Sequence, residues 1–227
     1  MTLRLRNLLA EWCLAALRDN RGSAPLRALV AFAERADETG RAEGLTAEQV
    51  VLLDSTDCFA SSGGAVCLAP RLLHDLPALR ARATRLLQAT AESRARCGSL
   101  ARPGSLASWS LCATEALFNA GLFFEVHELL ESDWRRATGD LKTLLQGLLQ
   151  VAVGFHHQAE GNVRGALSRL HAGNEKLRRF RPAAQGIELE GLCSAVERIV
   201  ARLRAMPGAP VELPRLVVRQ PFSESTR

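Results

Sequence analysis

Apolar residues recur at three- and four-residue spacing through most of the chain, and the breaks between these runs predict helices over Leu3 to Arg18, Leu26 to Ala36 and from Thr46 onward. The polar stretch Asp19-Asn20-Arg21-Gly22-Ser23-Ala24-Pro25 separates the first two. The third opens on Thr46-Ala47-Glu48-Gln49, a capping-box pattern in which a hydroxyl and a carboxamide satisfy each other's backbone N–H groups. Cys58-Phe59-Ala60 and Ala65-Val66-Cys67-Leu68-Ala69 then flank Ser61-Ser62-Gly63-Gly64, which predicts a β-hairpin turning at its glycines. Three helices followed by a hairpin is the order of a winged-helix unit. The third helix, however, carries Glu48 and Asp54 and no basic residue, whereas a DNA-reading helix needs donors for phosphates and base edges. That order also occurs in many other small domains, so residues 1–70 are read as a small helical domain with a hairpin, a winged helix being one option, suited to a protein partner or to a homo-oligomer rather than to nucleic acid.

A long helix is expected from Asp75, its N-cap, to about Cys97, with Leu79, Ala83, Leu86, Leu87 and Thr90 inward and the arginines on a solvated face. Gly98 to Ser105, with Arg102-Pro103-Gly104, closes a connecting segment 71–105. Two helical hairpins follow: Leu106 to Asn119 with Leu122 to Arg136, and Asp140 to Glu160 with Val163 to Arg179. Gly121 and Gly161, forty residues apart, each precede an apolar residue five positions on (Val126, Ala166) and a leucine nine positions on (Leu130, Leu170), a faint repeat of helix-turn-helix type. Leu189 to Arg204 adds a last helix, which Pro207-Gly208-Ala209-Pro210 ends. The fold class is all-α: a compact bundle of helical hairpins over 106–206, preceded by the small domain and followed by an extended strap and frayed tail over 207–227.

Composition changes this picture little. A chain of 227 residues, 47% hydrophobic, can build a small and a medium core. Its net charge of +5 comes almost entirely from arginine, Lys142 and Lys176 being the only lysines, and is too modest to indicate nucleic acid. The six cysteines show no CxxC spacing, which predicts buried reduced thiols and a cytoplasmic protein. Met1 to Ala16 carries arginines within its apolar run, unlike a secretory signal, and no run approaches the roughly 18 apolar residues of a membrane span.

The chemistry concentrates in Phe123-Phe124-Glu125-Val126-His127-Glu128-Leu129-Leu130-Glu131-Ser132-Asp133-Trp134. On a helix, His127 and Glu131 are an i, i+4 pair inside an apolar collar that includes Phe124 and Trp134. An imidazole and a carboxylate one turn apart supply two ligands to Zn, Mn or Fe. Folding the next helix back about a pivot near residue 138 puts His127 level with about Gln150 and Glu131 level with about Gln146. His157 shares the face of Gln146, Gln150 and Val153 and is the candidate third ligand, although it lies about 10 Å further along the axis. His156 is expected nearer Asn119 or Asn162. Glu128 is the candidate catalytic residue, a general base toward water, with Gln150 orienting substrate. Other roles stay open. His127 and Glu131 as a buried hydrogen-bonded pair, and metal-free acid–base chemistry, are alternatives to a metal site. Glu125 and Glu128 are expected in solvent, Trp134 as a core anchor, and Asn119-Ala120-Gly121 and Gly161-Asn162 as helix C-caps.

At these residues the chain resembles the DUF309 family. The resemblance is carried by Leu117-Phe118-Asn119-Ala120-Gly121, Phe124-Glu125-Val126-His127-Glu128 with Glu131 and Trp134, Leu145-Gln146-Gly147-Leu148-Leu149-Gln150-Val151-Ala152, and Gly161-Asn162 with Gly165-Ala166, within about Leu106 to Pro214. It implies an all-helical fold and a metal-dependent hydrolase, an activity not established for the family. Val126 stands where the resemblance leads one to expect alanine. The competing class is a non-enzymatic module whose two hairpins offer a groove to a peptide or partner helix.

Overall fold

The computed structural model describes residues 1–97 and 106–219 and is predominantly α-helical. Its packing divides the chain between Ala95 and Arg96 into two units. The predicted boundary at Gly98 to Ser105 and the expected tail beyond 219 lie outside the described residues.

In the first unit, α1 (Leu3–Arg18) buries Leu5, Leu9, Cys13 and Ala16, and α2 (Ala24–Arg35) buries Leu26, Leu29 and Phe32. The strand β1 (Arg41–Glu43) precedes α3 (Ala47–Asp54), β2 (Phe59–Ser62) and β3 (Ala65–Leu68). The three strands form an antiparallel sheet in the order β1-β3-β2. Thr46 and Gln49 form the expected reciprocal cap. Gly63 and Gly64 turn the hairpin with φ of 57° and 79°, conformations that L side chains rarely adopt. Phe32 and Phe59 meet edge to face at 5.0 Å between the helices and the sheet. The strand β1 was not expected from the sequence.

The helix α4 (Leu76–Cys97) buries Leu79, Ala83, Leu86 and Thr90 and belongs to the first unit up to Ala95. Two of its arginines do not face solvent as expected. The Arg80 guanidinium donates to the carbonyls of Ala36 and Asp37, just past the end of α2, and that of Arg94 donates to the carbonyl of Ala16 near the end of α1. Both satisfy carbonyls that a helix end leaves without partners. Asp75 is not free to cap: its carboxylate accepts the Thr2 N–H at 2.8 Å and pairs with the terminal ammonium at 3.5 Å.

The second unit is a bundle of α5 (Leu106–Asn119), α6 (Phe123–Arg136), α7 (Gly139–Ala159), α8 (Val163–Leu177) and α9 (Glu190–Ala205). The turns α5–α6 and α7–α8 have one geometry. Gly121 N–H reaches the Phe118 carbonyl and Leu122 N–H that of Leu117, while Gly161 and Asn162 do the same with Gln158 and His157. The glycines have φ of 71° and 74°. Both are Schellman closures, so the forty-residue repeat of the sequence is a repeat of structure. Asn162 is the N-cap of α8, its carboxamide oxygen accepting Gly165 N–H, rather than the C-cap of α7.

Helices α7 and α8 approach closely along small residues. A Cβ added at Gly173 would lie 2.8 Å from the Gly147 carbonyl oxygen and 2.8 Å from Val151 N, and one at Gly154 would meet Leu170. A short hairpin of β4 (Ala183–Ala184) and β5 (Ile187–Glu188) follows α8, and the extended segment after α9 docks on it through an Ile187–Val218 bridge. Leu216 and Val218 are buried there. Asn119 does not reach the histidines: its carboxamide makes a two-way clamp on the Leu216 backbone, 2.9 Å each way. Val218 N–H binds Glu115, which also pairs with Arg96 at 2.8 Å. The thiols are not all free, since Cys97 and Cys112 form a disulfide.

Candidate functional site

Helix α6 is amphipathic in an unusual way: its carboxylates differ in depth by their position on the helix. Val126, Leu129 and Leu130 are buried, and so is Glu125, at 0% exposure, against the expectation that it is solvated. His127, Glu128 and Glu131 sit on the adjoining face with side chains 32%, 34% and 31% exposed. One ligand atom from each lies within 4.8 Å of the others, a span that side-chain adjustment could narrow to the roughly 3–3.6 Å between neighbouring donors of one divalent ion bound at about 2.0–2.2 Å.

The hydrogen bonds sort the roles within this group. His127 Nδ1 meets Glu128 Oε1 at 3.2 Å, not Glu131. An ionised carboxylate only accepts, so the neutral imidazole carries its proton on Nδ1 and keeps the Nε2 lone pair. A histidine whose other nitrogen donates to a carboxylate is the usual form of a metal ligand. Glu131 gives one oxygen to Arg135 at 2.8 Å and keeps the other. A sealed His127–Glu131 hydrogen-bonded pair is not what the structure contains.

Beside this group lies a cleft of about 320 Å³, walled by His127, Glu131 and Trp134 of α6, by Gln146, Leu149, Gln150, Val153 and His157 of α7, and by Arg169 of α8. The α6–α7 register read from the sequence therefore brings His127, Glu131, Gln146 and Gln150 to one place. Trp134 is a wall of that cleft rather than a core anchor. Its indole Nε1 is buried with no hydrogen-bond partner among the described residues, and the Lys142 ammonium stands 5.5 Å from the ring centre. A larger groove, about 780 Å³ between α9 and residues 210–215, has no histidine and one carboxylate, Glu212. The smaller cleft is the one that His127 and Glu131 line.

His157 lines the cleft but is outside the three-residue group, and Asn162 Nδ2 lies 3.3 Å from its Nδ1. His156, Phe124 and Asn162 are not among the lining residues. The His156 ring lies 5.9 Å from that of Phe124 and 6.3 Å from that of His157. Arg169 and the buried state of Glu125 were not read from the sequence. The arginine is one of many, and only the α7–α8 packing selects it. No cysteine takes part: burial pushes the Cys193 thiol up to about 11, and burial raises Cys58 as well, so neither supplies thiolate at neutral pH.

Residues 113–168 match the family model of DUF309, a domain of unknown function. The matched DUF309 segment runs from within α5 into α8, narrower than the resemblance drawn from the sequence. It contains the His/Glu group, both glutamines and His157, and it ends one residue before Arg169. No curated protein and no solved structure matches the chain. Among the described residues no helix is long and apolar enough to cross a membrane.

Proposed function

We propose that the cleft is the site of a metal-dependent hydrolase acting on a small substrate. The observation that carries this reading is the convergence of His127, Glu128 and Glu131, each about one-third exposed, at the edge of a concave site. His127 through Nε2 and Glu131 through its second oxygen would hold a divalent cation, Zn, Mn or Fe, which when bound supplies Lewis-acid polarisation of the substrate. Glu128 fixes the imidazole tautomer, and its carboxylate is the base available to take a proton from an attacking water. Gln150 orients the substrate by its carboxamide.

Elemental analysis of tag-free protein tests this. Wild type is expected to carry, or take up on reconstitution, stoichiometric metal that His127→Ala/Glu131→Ala loses while keeping its helical circular dichroism. Glu128→Gln is expected to keep the metal and to lower turnover of any ester found in a screen by about 100-fold or more. Wild type that takes up no metal would sink the reading.

A non-enzymatic interaction module has one observation of its own. Val51 is 68% exposed on α3, beside exposed Glu48 and Asp54. The acidic side chains beside it favour a protein partner or a second copy on the first unit over nucleic acid. Sedimentation of wild type against Val51→Asp checks it: a self-associating chain should become monomeric in the variant, and a wild-type monomer at high concentration removes the homo-oligomer.

A further inference from the structure

The wall of the cleft away from the carboxylates is built of donors, and three hydrogen-bonding arrangements establish this. Gly165 N–H binds Asn162 Oδ1 at 2.9 Å, so the group that Asn162 presents to His157 Nδ1 is its NH2. Nδ1 of His157 is thus an acceptor, and the neutral ring carries its proton on Nε2. Lys176 Nζ, which can only donate, binds Gln150 Oε1 at 3.0 Å and leaves the carboxamide NH2 for the cleft. Arg169 adds a guanidinium that lines the cleft and makes no ion pair among the described residues.

Three donors on α7 and α8, from His157, Gln150 and Arg169, face the Glu131 carboxylate of α6, which makes a cleft with a direction. A ligand amine or hydroxyl would find the Gln146 carboxamide oxygen as an acceptor on that wall, whereas an oxyanion would find the Arg169 charge and several hydrogen bonds together. We infer that the α7–α8 wall is an oxyanion receptor, in which Arg169 anchors a carboxylate or phosphate group of the substrate and holds that end away from Glu128 and Glu131. That the bound anion is a substrate rests on the hydrolase reading; the receptor itself stands on the donor wall. At about 320 Å³ the cleft is at the small end of ligand sites, which fits a small acid or a phosphomonoester rather than a polymer. Arg169 and Lys176 lie beyond the segment that matches DUF309, while Gln150 and His157 lie within it.

The test uses the full chain stripped with EDTA, at fixed ionic strength, titrated by calorimetry with inorganic phosphate and separately with succinate. Saturable binding of one or both anions is expected, and which one binds identifies the group received. Arg169→Gln should weaken it by about tenfold or more, the usual loss for a charge-assisted hydrogen bond. Arg164→Gln, on the same helix but not lining the cleft, should leave it unchanged. Nitrogen-15 histidine spectra should show His157 protonated on Nε2. Binding of neither anion, equal binding by Arg169→Gln, or a His157 proton on Nδ1 each overturns the receptor. A parallel Mn2+ titration separates this from the hydrolase reading. Wild type that binds Mn2+ but neither anion overturns the receptor alone, and wild type that binds an anion but no Mn2+ overturns the metal site alone.

Discussion

Gly173→Ala is expected to lower the stability of the second unit by about 2 kcal/mol, measured as a shift in the urea midpoint at constant slope. Alanine is the better helix former by about 0.5–1 kcal/mol, so a solvent-facing glycine would give the opposite sign. Here the added methyl meets two backbone atoms of α7 at 2.8 Å, the Gly147 carbonyl oxygen and Val151 N, and neither can rotate away. The helices must separate, and the looser packing of α7 against α8 outweighs the propensity gain. Gly191→Ala supplies the internal control. It lies in α9 with nothing within 4 Å of the added carbon and should stabilise by about 0.5–1 kcal/mol. If both substitutions stabilise alike, α7 and α8 do not meet at Gly173.

Reduction of Cys97–Cys112, or Cys97→Ser/Cys112→Ser, should cost about 3 kcal/mol, the chain-entropy value for a closed loop of about 15 residues. The bond ties the end of α4 to α5 and spans residues 98–111. Oxidised protein unfolded without reductant should titrate only Cys13, Cys58, Cys67 and Cys193 as thiols, and reductant should add two and lower the urea midpoint. Six thiols in freshly purified protein would mean that the pair stays reduced, and the midpoint would then be insensitive to reductant. The sequence offered no sign of this pairing, since two cysteines fifteen residues apart fit a reduced core as well as a bridge. Only the approach of the end of α4 to the middle of α5 distinguishes the two.

What could be read beforehand was whatever depends on local chemistry. Thr46 and Gln49 are three residues apart and cap each other; Gly63 and Gly64 carry the positive φ the hairpin needs. The short connection between α6 and α7 fixes which side chains come level, so His127 could be placed near Gln150 from spacing alone. What could not be read depends on packing between distant segments. The strand β1 is three residues long, and only Ala42 in it is buried. Glu125 lies on the α6 face that turns to the core, although a glutamate beside His127 reads as solvated. Arg80 and Arg94 look like a charged helix face until the ends of α1 and α2 are seen to need donors. Arg169 belongs to the cleft only because glycines let α8 come close to α7.

The strap has a temporal consequence. Its anchors join residues 97 and 103 positions apart, Asn119 with Leu216 and Glu115 with Val218. During synthesis, α5 to α8 leave the ribosome before the segment that closes on Asn119 and Glu115. Long-range closures of this kind form late, because the loop entropy is spent before the new interaction rewards it. The Glu115 carboxylate and the Asn119 carboxamide therefore wait without their strap partners through much of translation, and the nascent bundle passes through a stage in which the strand-like surface at Ile187 is open to any extended peptide that reaches it first.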